Sequence, residues 1–158
     1  MGVDIKYYCN GSYAYFKLSE IIIYDDIEQV FKILSELLEL GKPFVFLLDG
    51  RQITEFPTFK TGYFIISWMR KHYSKIPNIL LGSAIILKNK TIISILKWVF
   101  TQQKPISPNI ITDDLKEGKK FVNIIYEKNI YTKQECSNRE ERIMLECRKE
   151  RNIDEKIF

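Results

Sequence analysis

The order of apolar segments predicts an α/β protein: a mixed, mostly parallel β-sheet covered by about four α-helices, followed by a charged, partly helical C-terminal appendage. Three observations carry this expectation. Two short, mainly apolar runs, Phe44 to Leu48 and Ile79 to Leu87, read as strands buried on both faces. Between such runs, apolar residues recur at the three- and four-residue spacing of helices. Strands separated by single helices need crossover connections, and those build a parallel sheet.

Each element has its own local signal. Residues 13–23, YAYFKLSEIII, are aromatic and β-branched, as strands are, and are read as one strand or, with a break at Ser19-Glu20, as two. Asp25 and Asp26 supply the negative charge favoured at a helix start. Ile27, Val30, Leu34, Leu37 and Leu38 form the apolar face of that helix, which Gly41 closes. Pro57 suits the first turn of a second helix, whose buried face is read from Phe59, Tyr63, Ile66 and Tyr73, with Gly62 approaching the sheet. After the strand at 79–87, Lys88-Asn89-Lys90 forms a polar turn. Ile92, Ile95, Leu96 and Val99 then mark a third helix, ended before Pro105. Ile110-Ile111 is a short last strand. Thr112, Asp113 and Asp114 cap a final helix bearing Leu115, Phe121, Val122, Ile124 and Ile125.

The expected division is an α/β domain at 1–127 and the appendage at 128–158, where charged residues dominate and Ser137-Asn138-Arg139-Glu140 begins a solvated helix to about residue 151. A hydrophobic content of 46% supports a substantial core. The net charge of +4 comes from interspersed Lys, Arg, Asp and Glu, without the basic stripe of a nucleic-acid-binding protein, so no nucleic-acid partner is expected. Cys9, Cys136 and Cys147 form neither a metal-ligand spacing nor an even disulfide set. Reduced thiols and a cytoplasmic location are therefore expected. MGVDIKYY lacks the basic and apolar regions of a secretory signal, and no apolar run has the length of a membrane span.

The segments YFKLSEIIIYDDIEQVFKILSELLELGKPFVFLLDGRQ, ILLGSAIIL and PNIITDDLKEGKKFV, in this order, resemble the STAS-like superfamily (sulphate transporter and anti-sigma factor antagonist), nearest to its small uncharacterised branch. The resemblance spans residues 13–126 and implies that fold and a regulatory, protein-binding role. In the anti-sigma factor antagonists of the superfamily, the strand matching Phe44 to Leu48 leads to a phosphorylatable Ser beside Asp and Gly. Here Asp49 and Gly50 remain, but Arg51 and Gln52 follow, and the nearest hydroxyls are those of Thr54 and Thr58.

Asp49, Arg51 and Thr54 stand where a buried strand ends near a helix start, a place that favours anions. Phosphorylation of Thr54 would add nearly two negative charges there. The same residues also serve an ordinary corner, with Asp49 capping the turn and pairing with Arg51. Residues 49–58, with Phe56 as apolar contact, and the appendage are the expected protein-binding surface of a non-enzymatic module. Trp98, with Phe100 and Lys90, Lys97 and Lys104, makes the helix at 90–104 the alternative, a peripheral lipid- or membrane-surface contact, with or without an apolar cleft under that helix. His72, within RKHYSK, is expected at the solvated end of a helix. Asp25-Asp26 and Asp113-Asp114 are explained by capping, and no phosphate-binding, zinc-protease or serine-hydrolase motif is present. No catalytic residue, cofactor or metal is expected.

Overall fold

A computed structural model describes residues 2–57 and 59–131. Five strands lie side by side in chain order: β1 (Val3–Tyr8), β2 (Tyr13–Leu18), β3 (Phe44–Gly50), β4 (Leu80–Leu87) and β5 (Asn109–Thr112). β1 runs antiparallel to β2, and every later pair is parallel. The helices are α1 (Tyr24–Leu40), α2 (Phe59–Lys71), the single turn α3 (Ile76–Ile79), α4 (Lys90–Gln102) and α5 (Leu115–Tyr126). The mixed, mostly parallel sheet is as expected. The appendage helix, Cys136 and Cys147 fall outside the described residues.

Strand order decides where the helices go. From β2 to β5 the chain always steps in the same direction, and right-handed crossovers then lay their helices on one face. Alternation along the strands confirms two distinct faces. Ala14, Phe16, Leu18, Phe44, Phe46 and Leu87 join the cluster that includes residues of α1, α2 and α4. Tyr13, Tyr15, Val45, Leu47, Ala84 and Ile86 point to the other face, which Val122 and Tyr126 of α5 cover. A register shift opposite Phe44/Val45 leaves Leu81 as the extra residue of a β-bulge and keeps β4 in phase with β3.

Local chemistry sets the ends. In α1 the Asp26 carboxylate accepts from the Ile23 N–H at 3.0 Å and the Gly2 N–H at 3.2 Å. All five apolar residues assigned to α1 are buried, and Gly41 closes it in the left-handed conformation, its N–H donating to the Leu38 carbonyl. The Asn89 side chain accepts from Thr91 and Ile92 at the start of α4, and Asp114 accepts from Lys116 at the start of α5.

Four expectations are corrected. The paired strands are not on either side of Ser19-Glu20: the additional strand is β1, upstream, joined to β2 by a tight turn in which Cys9 and Gly11 take positive φ. An edge strand needs only one partner, and its half-polar sequence VDIKYY resembles a loop. Of the buried face read for the second helix, Ile66 is buried, but Tyr63 in α2 and Tyr73 beyond it are exposed. Phe64 packs against the core, and Thr61, Ile65, Trp68 and Met69 line a cavity under the helix. Gly62 approaches α4 and not the sheet, since a Cβ there would lie 3.2 Å from Trp98. Finally, Cys9 is disulfide-bonded, so the reduced-thiol expectation fails and no longer supports a cytoplasmic location.

His72 is also not solvated. It is buried just beyond α2, its ring 4.8 Å from that of Trp68. The Ser35 hydroxyl donates to the Phe31 carbonyl and accepts from the Trp68 indole N–H at 2.8 Å. With its proton committed, Ser35 meets His72 Nε2 at 3.4 Å as acceptor, which favours the Nε2–H tautomer. Burial, reinforced by the nearby charges of Lys71 and Lys75, pushes the imidazole pKa down.

Candidate functional site

The carboxyl end of β3 carries the polar corner. Asp49 points to the α5 face and is only 2% exposed. Its carboxylate accepts from Arg51 Nε at 2.9 Å, from Arg51 Nη2 at 2.8 Å and from Tyr15 Oη at 2.9 Å. A longer contact of 3.3 Å comes from the Arg51 backbone N–H. Burial by itself would raise the Asp49 pKa, but the hydrogen bonds from Arg51 and Tyr15 outweigh it and hold it low. Burial and the Asp49 charge push the Tyr15 phenol well above its usual range. The two-pronged guanidinium grip turns Arg51 back onto its own strand end.

The rest of the loop is tied to the segment after β2. The Glu20 carbonyl accepts from the Thr54 and Glu55 N–H groups and, at 3.2 Å, from the Thr54 hydroxyl. Ile22 N–H donates to the Glu55 carbonyl, and Ile21 and Glu55 form a parallel bridge. Thr54 itself is exposed, whereas Thr58 lies outside the described residues. Asp49 and Arg51 are thus brought together, Thr54 stands apart from them, and Phe56 turns toward the opposite face of the sheet, where it lines a cavity. Trp98 is on the outer surface of α4, 40% exposed, its ring 5.5 Å edge-on from that of Tyr63, which is 63% exposed.

That cavity lies under α4, where the alternative sequence reading allowed an apolar cleft, but sequence reasoning did not assign its lining. About 150 Å³ in volume, it lies between the sheet and the helices α1, α2 and α4. Phe46, Leu48, Ile85 and Leu87 form its floor, Ile65, Trp68 and Leu96 part of its roof, and Pro105 and Ile106 one end. Its lining includes no Asp, Glu, Lys, Arg or His. The polar side chains in its lining are Thr61, Ser83, Gln103, Ser107 and Asn109. Ser107 is committed to the Leu80 carbonyl and the Asn109 amide to the Ser107 carbonyl. Thr61 differs: it is 0% exposed and its hydroxyl has no hydrogen-bond partner. The local signal available was a hydroxyl immediately before Gly62, within the inward stripe 61, 64, 65, 68. That stripe is visible only once the helix is correctly rotated.

Among the described residues, no group of three His, Cys, Asp or Glu could hold a metal ion, and no helix is long and apolar enough to cross a membrane. No protein-family model matches the sequence, and no curated protein matches it significantly. A solved structure does: an uncharacterised protein of the DUF3478 family with a SpoIIAA-like fold, from Shewanella loihica PV-4. The two share 16% identity over 76% of this chain and 91% of that one, with a TM-score of 0.50. The chain therefore has a SpoIIAA-like, that is STAS-like, fold, as its sequence led us to expect. At this identity the likeness concerns the fold alone.

Proposed function

We propose that this protein binds a small apolar molecule in the cavity beneath α2 and α4. The single observation that carries this reading is the cavity itself: about 150 Å³ of space walled by apolar side chains between the sheet and its helices. Interiors pack at crystal-like density, so an apolar void of this size leaves contacts unmade that a ligand can supply. Voids of roughly this volume and lining stay dry and take up molecules of benzene size. The reading takes up the lipid-binding branch of the sequence expectation, in its form of an apolar cleft under α4. Binding is favoured over catalysis because the polar groups suited to chemistry are already engaged, Asp49 by Arg51 and Tyr15, His72 by Trp68 and Ser35.

The test is calorimetric and thermal titration with toluene as an uncharged probe. Trp68 lines the cavity, so its fluorescence reports occupancy. Saturable binding with an upward shift in Tm is expected, and the filled variant Leu96→Phe should lose it. Toluene binding that survives filling, or no binding to the native chain, rejects the reading.

A second reading is protein capture through residues 49–58, and one observation favours it. Ile21 and Ile23 are exposed beside that loop, to which Ile21 is bridged through Glu55. Exposed aliphatic side chains next to a polar loop suit a partner surface, and Thr54 is open to phosphorylation. A phosphate there would lie near Glu55 and Glu20 and would repel an acidic partner. Pull-down with Ile21→Ser/Ile23→Ser and with Thr54→Glu tests it. Unchanged capture by both variants rejects the surface. Trp98 and Tyr63, flanked by exposed Lys60 and Lys97, support membrane-surface contact, and liposome flotation with anionic vesicles tests it.

A further inference from the structure

We propose that two copies of this chain associate through β1, the strands pairing antiparallel about a two-fold axis with Ile5 opposite Ile5 of the second copy. β1 lies at the edge of the sheet, and among the described residues no segment pairs with its outer side. Which of its backbone groups face outward follows from one hydrogen bond. The Ser19 N–H donates to the Gly2 carbonyl at 2.8 Å, and the register with β2 runs unbroken from Val3 to Tyr8. Hydrogen-bonded pairs alternate along an antiparallel ladder, so Asp4, Lys6 and Tyr8 turn their backbone groups to β2 while Val3, Ile5 and Tyr7 turn theirs outward. Such a row of outward donors and acceptors is a template for a further strand.

Charge selects the occupant and the register. When β1 pairs with itself, outward-facing residues must meet outward-facing residues, so the allowed registers differ in steps of two positions. With Ile5 opposite Ile5, Val3 and Tyr7 meet Tyr7 and Val3 of the second copy, and each of these pairs exchanges two hydrogen bonds. Between them Asp4 meets Lys6 of the second copy, and Lys6 its Asp4, at the closer, non-hydrogen-bonded positions where cross-strand side chains interact. Both residues are exposed. The neighbouring register on one side sets Asp4 against Asp4, and that on the other sets Lys6 against Lys6, so like charges disfavour each. Within its own chain Asp4 lies opposite Lys17 of β2, so in the dimer it stands between two cations. On the opposite face of the sheet Tyr7, 50% exposed, would rest beside Val3 of the second copy. Charges on an edge strand ordinarily deter association; here they deter the wrong registers, and a two-fold pairing uses up both edges and closes the assembly at two chains.

Sedimentation equilibrium of the full chain at about 100 μM is expected to show a dimer of micromolar Kd. Asp4→Lys sets like charges together at both contacts, and so does Lys6→Asp. Each variant alone should keep the native circular dichroism and weaken dimerisation by roughly tenfold or more. Mixed in equal amounts, the two variants bring opposite charges together at both contacts and should form a heterodimer about as tight as the native dimer. The double variant Asp4→Lys/Lys6→Asp should likewise dimerise as the native chain does, which keeps the test decisive if a single variant fails to fold. Tyr7→Pro removes an outward N–H without touching a bond to β2 and should give a folded monomer. A monomeric native chain overturns the proposal; amide exchange that still protects Val3, Ile5 and Tyr7 would then assign the edge to residues 132–158 of the same chain. Native affinity in both single variants places the interface elsewhere and overturns it. A mixture that stays monomeric, or a double variant that does not dimerise, overturns the register and the proposal with it.

Discussion

The two faces of the sheet solve the same packing problem differently. On one, α5 is the α-helix that covers the strands among the described residues, and it lies close. Gly118 has no side chain to hold the helix away, and a Cβ there would come within 2.2 Å of Ile86. Val122 and Tyr126 complete a filled layer with Tyr13, Tyr15, Val45 and Leu47. On the other, three helices must cover the same strands, and they meet one another as well as the sheet. Phe31 of α1 packs edge-on against Phe64 and Trp68 of α2, while Gly62 of α2 admits Trp98 of α4. Those helix–helix contacts keep α2 and α4 above the floor, and the cavity is the space left over. A single helix can adjust to a sheet through one glycine; a layer of three, already in contact, has no such freedom.

If that contrast is right, adding volume should have opposite consequences on the two faces. The largest expected effect is at Gly118→Val, where overpacking against a fully buried Ile86 should cost about 3 kcal/mol, read by urea unfolding. A cost below about 1 kcal/mol would mean that α5 is as loosely seated as α2.

Next comes Asp49→Ala, expected to cost about 2 kcal/mol because the buried Tyr15 hydroxyl loses its acceptor. The double variant with Tyr15→Phe should recover part of that loss, since removing both partners is milder than orphaning one. Strict additivity of the two variants would show that the pair is not coupled.

A smaller effect separates the faces by pH. His72 has a lowered pKa in the folded chain, so the unfolded chain takes up its proton first. Its contribution is intact above the unfolded value near ~6.5 and is lost as pH falls below that. Asp49 is likewise held low, and its contribution persists until pH falls below the unfolded value near ~3.9. Tm should therefore decline first on the α2 side, and His72→Gln should flatten the decline between about pH 6.5 and 5 without altering the loss below about pH 4. An unchanged profile in His72→Gln would place the early titration elsewhere.

The smallest effect is expected at Leu96→Phe, where the added atoms enter the cavity. Stability should change by less than about 1 kcal/mol, in either direction, because the new ring gains contacts instead of displacing them. A loss comparable to that of Gly118→Val would mean that the space is not available to a ligand either.

Much of this architecture was legible from the residues because its signals are local. The i, i+3, i+4 pattern from Ile27 to Leu38, Gly41 as its stop, Asn89 and Asp114 as caps, and the apolar runs of β3 and β4 need no knowledge of the rest of the chain. The candidate site was less legible. Asp49 and Arg51 were recognised as a corner, and the geometry shows how firmly they are engaged, yet Tyr15, which completes that corner, lies 34 positions away in sequence. In α2, aromatic residues occur on two sides, and Tyr63 and Tyr73 were as plausible an inner stripe as Phe64 and Trp68. Amphipathicity cannot choose between two aromatic faces when the polar residues between them are few.

What the residues by themselves determined is the succession of strands and helices and where each begins and stops, because hydrogen bonding within a helix, side-chain alternation along a strand and capping all act over a few positions. Only the assembled fold decided which side of α2 turns inward, that Val3–Tyr8 becomes an edge strand and which side chains line the apolar cavity under α4. Those outcomes depend on the volume left between elements distant in the chain. Such a volume is a property of their packing against one another, and no single segment encodes it.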